Sequence, residues 1–323
     1  MARHRAALPQ LGGELFLADG GIETTLIFLD GLDLPDFAAF TLFESEEGRT
    51  ALRKYFRSYI DLAARFRTGL VLESATWRAS ADWAARRGYS AAQLADANWA
   101  AITMLAELRT AAGGAAGNAS TPIVISGCVG PRGDGYVPGN MMSADQAEAY
   151  HGDQIRVFSE TAADMVSAIT VNYVDEAVGI TRAARHAGMP VAISFTVETD
   201  GRLPTGQSLQ SAIEQVDAET ASYPAYYMVN CAHPEHFDAV LTPGAAWAQR
   251  VRGIRANASR MSHAELNESV SLDIGDPCEL GQQYAKLKRA HPQLTVMGGC
   301  CGTDLRHIEQ IAVACAPLFA SAR

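Results

Sequence analysis

Residues 294–301 read LTVMGGCC, a short apolar run that closes on two glycines and two adjacent cysteines, Cys300 and Cys301. A short run with no polar alternation suits a strand buried on both faces, and such strands belong to parallel sheets whose crossovers are helices. The same shape recurs seven times upstream: LFLADGG (Leu15 to Gly21), GLVLESATW (Gly69 to Trp77), IVISGCVGP (Ile123 to Pro131), DMVSAITVN (Asp164 to Asn172), VAISFTVE (Val191 to Glu198), AYYMVNCA (Ala225 to Ala232) and VRGIRANAS (Val251 to Ser259). Nearly all begin apolar and finish polar. Between most of them lie longer segments with mixed apolar and charged faces, such as 44–66, 90–111 and 143–163, as amphipathic helices require. Eight such units with no low-complexity linker predict an α/β chain folded as a single (β/α)8 TIM barrel over residues 1–323, with 1–12 as a flexible arm. An open doubly wound sheet is the alternative. The stretch AAGGAAGNASTP (111–122) reads as an internal loop, because a strand candidate follows it at once.

The 323 residues suffice to bury a full core, and 36 acidic against 26 basic side chains leave a formal charge of −10 with no long run of either sign. Nucleic-acid binding is excluded on that balance, since phosphate recognition needs a concentrated basic patch. The opening MARHRAALPQLGG lacks the apolar core of a secretory signal, and no stretch reaches the roughly 18 apolar residues of a membrane span. A cytoplasmic protein without a membrane partner is expected. Six scattered cysteines are too few for a disulfide framework in a chain of this size, so metal binding or catalysis is their better use.

In a barrel, the carboxyl ends of the strands carry the active site. The polar tails of the eight runs therefore bring Asp19 and Glu23, Glu73 and Thr76, Cys231, Asn257, and Cys300 with Cys301 to one mouth. Within a regular strand Cys300 and Cys301 would point to opposite faces. Both face one centre only if the strand ends there and the chain turns, which Gly298, Gly299 and Gly302 permit. With Cys231 they would make a three-thiolate Zn2+ site whose fourth position takes an exchangeable ligand. A competing reading treats the pair as small core residues beside glycines, and the pattern alone leaves both open. An adjacent pair makes a poor structural disulfide, although oxidation could join Cys300 to Cys301. Cys128, Cys278 and Cys315 read as packing, and His233 and His236 as alternative ligands that are more simply surface histidines.

The segments LADGGIETTL, VNCA and MGGCCGT resemble the zinc-dependent homocysteine S-methyltransferases, the family of the S-methylmethionine and betaine enzymes and of the homocysteine module of cobalamin-dependent methionine synthase. The resemblance runs through essentially the whole chain, including SGCVGPRGDGY after the third strand, SFTVETDGRLPTGQSL after the fifth and RANAS at the seventh. It implies that Cys231, Cys300 and Cys301 bind Zn2+ and that the acceptor thiol takes the fourth position. Three thiolates on a dication leave a net negative centre, so an added thiolate stays nucleophilic although deprotonated near neutral pH. The implied reaction moves a methyl group from a small sulfonium donor resembling S-methylmethionine to homocysteine, giving methionine. With one barrel using the whole chain, the donor is expected to be a free small molecule. Trp77, Tyr136 and Tyr173 are candidates to embrace its cation, and packing also accounts for each.

Asp19 and Thr76 match the family's positions for the amino-acid end of the acceptor, and Asn257 is retained, but Ser259 stands where the family usually has Gly. A larger departure lies in SAITVN, where Ile169 precedes Thr170 in place of the family's acidic residue. Three explanations fit: Glu73 or Glu198 supplies the charge, the acceptor lacks the ammonium group, or the alignment is off by a few residues. Two rival functions are a barrel lyase or hydrolase using the mouth carboxylates, and a zinc-storing or zinc-sensing module with His233 as fourth ligand. Homo-oligomerisation is open.

Overall fold

Each of the eight apolar runs forms a strand in the computed structural model, which describes residues 1–115, 121–269 and 271–320. They are β1 (Phe16–Ala18), β2 (Gly69–Glu73), β3 (Ile123–Val129), β4 (Met165–Val171), β5 (Val191–Thr196), β6 (Tyr226–Asn230), β7 (Val251–Ala256) and β8 (Val296–Gly299). All pair in parallel in sequence order, and β1 closes on β8 through Phe16 opposite Val296 and Leu17 opposite Met297. Closure settles the choice against an open sheet. The helices are α1 (Glu46–Phe66), α2 (Ala81–Arg86), α3 (Ala91–Ala115), α4 (Ala144–Ser159), α5 (Val174–His186), α6 (Leu209–Thr220), α7 (Pro234–Phe237), α8 (His263–Glu268), α9 (Pro277–Ala290) and α10 (Leu305–Ala320). The expected loop at 111–122 begins instead as the last turn of α3, and its middle, 116–120, lies outside the described residues.

Alternation sorts the side chains. Phe16, Ala18, Val71, Val124, Met165, Ala192, Met228 and Val296 form one buried cluster that fills the barrel. Their neighbours Leu17, Leu70, Leu72, Val166, Ala168 and Ile193 join the layer between strands and helices. On α1, Leu52, Phe56, Tyr59 and Ala63 recur at helical spacing and are all buried, while Ser45 caps the helix by accepting from the Gly48 N–H.

The expected flexible arm is a correction: residues 1–12 are docked on the base of the barrel. Leu8 and Leu11 pack against the interior cluster and Gln10 is fully buried. Arg5 donates to the carbonyls of Ser159, Thr161 and Ala163, and the backbone N–H groups of Arg3 and His4 donate to Asp164. A polar, charged segment reads as an arm only while its partners, the exposed carbonyls after α4, are out of view. No helix among the described residues is long and apolar enough to cross a membrane.

Candidate active site

Every strand stops before its run does, so the polar tails become loops at the mouth. Beyond β8, Gly299 packs so closely on Thr303 that a Cβ there would sit 2.1 Å from Oγ1, and Gly302 turns with φ +78°. The turn is pinned to the first strand's loop: Gly302 N–H donates to Thr24 Oγ1 and Gly21 N–H to the Thr303 carbonyl, at 3.0 Å each. This is why two adjacent cysteines share a centre. The Sγ atoms of Cys231, Cys300 and Cys301 all lie within 4.8 Å of one another. A tetrahedral set with metal–sulfur distances of about 2.3 Å needs thiolates about 3.8 Å apart, so the cluster suits a thiophilic dication once the bonded pair within it is reduced and its sulfurs separate. Cys231 and Cys300 are joined as a disulfide and Cys301 is a free thiol, so the oxidised pair spans two strand ends and is not the adjacent pair.

Cys231 is held by its surroundings. It adopts a left-handed conformation, φ +52°, as does Thr170 at φ +66°, where the β4 register slips against β5. Non-glycine residues in this region are strained and persist where neighbours over-determine them. Asn230 does so here: its Oδ1 accepts from the Thr170 N–H at 3.0 Å and from Ser194 at 2.6 Å, and its Nδ2 donates to Thr170 Oγ1 at 2.8 Å. His263 on α8 braces the other side, with Nε2 2.5 Å from the Cys231 carbonyl and Nδ1 3.2 Å from Glu198. Glu198 is thereby engaged at the rim. Tyr136 lies against the His263 ring, and its hydroxyl is 3.4 Å from Cys301 Sγ.

Of the other aromatic candidates, Trp77 donates from Nε1 to the Ile169 carbonyl and carries the Arg78 guanidinium over its ring at 3.9 Å. Tyr173 accepts from the Met142 N–H. His233 caps α7 by accepting from Glu235 N–H, burial draws its pKa down to about 4, and it does not join the sulfur cluster.

Charged groups collect in the barrel just beneath. Asp19 accepts from Arg255 at 2.5 Å on one oxygen and from the Tyr55 hydroxyl at 2.9 Å on the other. Glu73 projects from the end of β2 against the hydroxyls of Ser126 and Ser167, and burial raises its pKa while Arg255 opposes the rise. Half-buried Glu23 is pushed up to about 7, chiefly by burial and further by Asp19. Thr76 has its hydroxyl engaged by the Cys128 carbonyl and Ser74, tying β2 to β3. Asn257 is buried beside Ala232, with Oδ1 unpartnered. Ile169 faces the interior cluster and brings no charge.

Arg255, Asn230, Tyr55 and His263 escaped the reading of the sequence. Arg255 had a signal: it stands at an inward position of VRGIRANAS, where a charge inside a parallel barrel must find a partner.

A sequence profile described as homocysteine S-methyltransferase matches residues 16–315. Among solved structures, the homocysteine methyltransferase MmuM from Escherichia coli in its oxidised form superposes with a TM-score of 0.76 at 20% identity, covering 96% of this chain and 99% of that one. Its metallated form gives a TM-score of 0.74 at 19% identity, covering 93% and 96%. At such identities these likenesses establish the fold. No curated protein sequence matches.

Proposed function

We propose, on the premise that this chain belongs to the homocysteine S-methyltransferase family, that residues 1–323 act as one homocysteine-binding barrel with Zn2+ on Cys231, Cys300 and Cys301. The chain is an S-methyltransferase, and methyl transfer to homocysteine is the reaction its family supports. The finer reading adds a methylsulfonium donor and methionine as product. One observation carries it: three sulfurs from two strand ends converge at a barrel mouth, where closure of the sheet already supplies stability and a purely structural metal has little to add. The metallated MmuM structure adds support for a metal on this fold.

When bound, the ion would lower the pKa of the incoming thiol and leave it a nucleophile at neutral pH. The chain's own residues do the rest. Asn230 and His263 hold Cys231 in place, and Tyr136 sets a hydroxyl beside Cys301. Asp19, Glu23, Glu73, Thr76 and Asn257 form the acceptor side, the last two by shaping the strand ends. Acceptor sulfur and donor methyl are brought into line, the new S–C bond forms as the donor's breaks, and the leaving pair stays on the donor sulfide.

The test uses reduced, zinc-loaded protein with isotope-labelled homocysteine and S-methylmethionine, read by mass spectrometry. Labelled methionine is expected from the wild type, and Cys301→Ser should lose product and bound zinc together. A lyase or hydrolase using the carboxylates would keep its turnover in that variant. No labelled methionine from a protein with zinc bound would sink the pairing of homocysteine with this donor.

A further inference from the structure

Asp19, which matches a family position for the acceptor's amino-acid end, already accepts from Arg255 on one oxygen and from Tyr55 on the other. The second expected acid is Ile169. A zwitterion arriving at this mouth therefore meets no acid at 169 and an Asp19 already engaged by Arg255 and Tyr55. Two other buried groups next to that pair are incomplete. Glu73, 6% exposed, has no hydrogen-bond partner for Oε2 among the described residues, and Arg255, 7% exposed, has none for Nη1. Leaving such atoms unpaired in a barrel interior is costly, and at a barrel mouth a polar ligand can complete them.

Their placement suits one ligand. Arg255 pairs in register with Asn230, the residue before Cys231, and its carbonyl accepts the Cys231 N–H at 3.1 Å. It thus starts one residue, about 3.3 Å of strand, beneath the sulfurs. Glu73 ends β2 on the far wall, close enough for Arg255 to act on its charge. One free anionic oxygen and one free guanidinium nitrogen, below a cluster that takes a thiol, match the ammonium and carboxylate of an amino acid whose side chain ends in sulfur.

We propose that Glu73 and Arg255, and not Asp19, read the α-ammonium and α-carboxylate of the acceptor, with Asp19 serving to orient Arg255. This rests on the acceptor reading above, and it makes the acceptor class a zwitterionic thiol amino acid despite Ile169.

The subsite can be tested without metal or turnover, by calorimetry on the reduced chain with three probes. L-Norleucine carries both charged groups and an unreactive side chain, hexanoate lacks the ammonium, and pentylamine lacks the carboxylate. Wild type should bind norleucine at least tenfold more tightly than either analogue. Glu73→Gln should drop norleucine to the level of hexanoate while hexanoate itself is unchanged. Arg255→Lys keeps a cation for Asp19 but removes the second nitrogen, and should drop norleucine toward pentylamine with pentylamine unchanged. Those unchanged analogues also report that each variant is folded.

The proposal is overturned if wild type shows no preference for norleucine, if both variants bind it as wild type does, or if Asp19→Asn alone erases its advantage over hexanoate. Labelled methionine formed by a protein that fails these tests would leave the methyltransferase reading standing without the subsite. The expected binding pattern without any methionine would do the reverse.

Discussion

At the base of the barrel Asp164 meets Arg109 at 2.6 Å, and at the mouth Asp19 meets Arg255 at 2.5 Å. Both pairs are buried, and both aspartates stand at a strand end. At the base, Asp164 accepts four bonds, from the backbone N–H groups of Arg3, His4 and Ile125 and from Arg109, so one carboxylate stitches the N-terminal segment, α3 and β3 together. Within that pair only Arg109 Nε lacks a partner among the described residues. At the mouth, Asp19 accepts only two such bonds, from Arg255 and Tyr55, and Glu73 Oε2, Arg255 Nη1 and Asn257 Oδ1 around it have no partner among the described residues. The same ion pair serves as a staple where its surroundings complete it and as a receptor where they do not. Buried charge thus marks function less well than buried charge left unfinished.

The sharpest way to break this contrast is to remove the staple. Asp164→Ala strands Arg109 in the interior and frees three backbone donors, and loss of one partner of a buried pair costs about 3–5 kcal/mol. A urea or thermal melt should show that loss, while the norleucine affinity of the still-folded protein stays at the wild-type value. A loss below 1 kcal/mol would mean that the N-terminal segment is not fastened through this carboxylate.

The receptor end should behave in the opposite sense. Glu73→Gln removes a buried carboxylate whose pKa is raised by its own desolvation, and keeps an oxygen for Ser126 and Ser167. Stability at pH 8 is expected to stay within about 1 kcal/mol of wild type or to rise, because an incomplete buried charge is costly to fold. A loss as large as that of Asp164→Ala would turn Glu73 into a second staple and remove the distinction between the two ends.

The barrel was legible because its eight units repeat one physical pattern, apolar run then polar tail, and the tails named the mouth. The three cysteines followed from where their strands stop. What escaped were interactions that only closure creates. Arg255 and Asp19 are 236 residues apart and meet because β7 and β1 flank β8. Asn230 looked like a neighbour of a cysteine until the left-handed turn at Thr170 gave its amide two bonds there, beside a third from Ser194. Thr76 matched its family position, but its single hydroxyl proton is spent on Cys128. The docked segment 1–12 was misread for the same reason, its partners being carbonyls that carry no signature in the sequence.

The smallest effect concerns the outer edge of the receptor. Glu23 titrates at about 7 in the folded chain against an ordinary 4.5, burial being the main cause. The folded state therefore holds a proton through this window that the unfolded state has released. Stability from this group is full below pH 4.5 and is lost as pH rises through 7, the slope being negative wherever the folded state binds more protons. Glu23→Gln should flatten that part of the curve in melts taken between pH 4.5 and 8, with little change at the acid end. Because Glu23 is only half-buried, the flattening should be smaller than either effect above. Identical slopes in variant and wild type would place its carboxylate in water, and would confine the incomplete charges of the mouth to Glu73 and Arg255 beneath it.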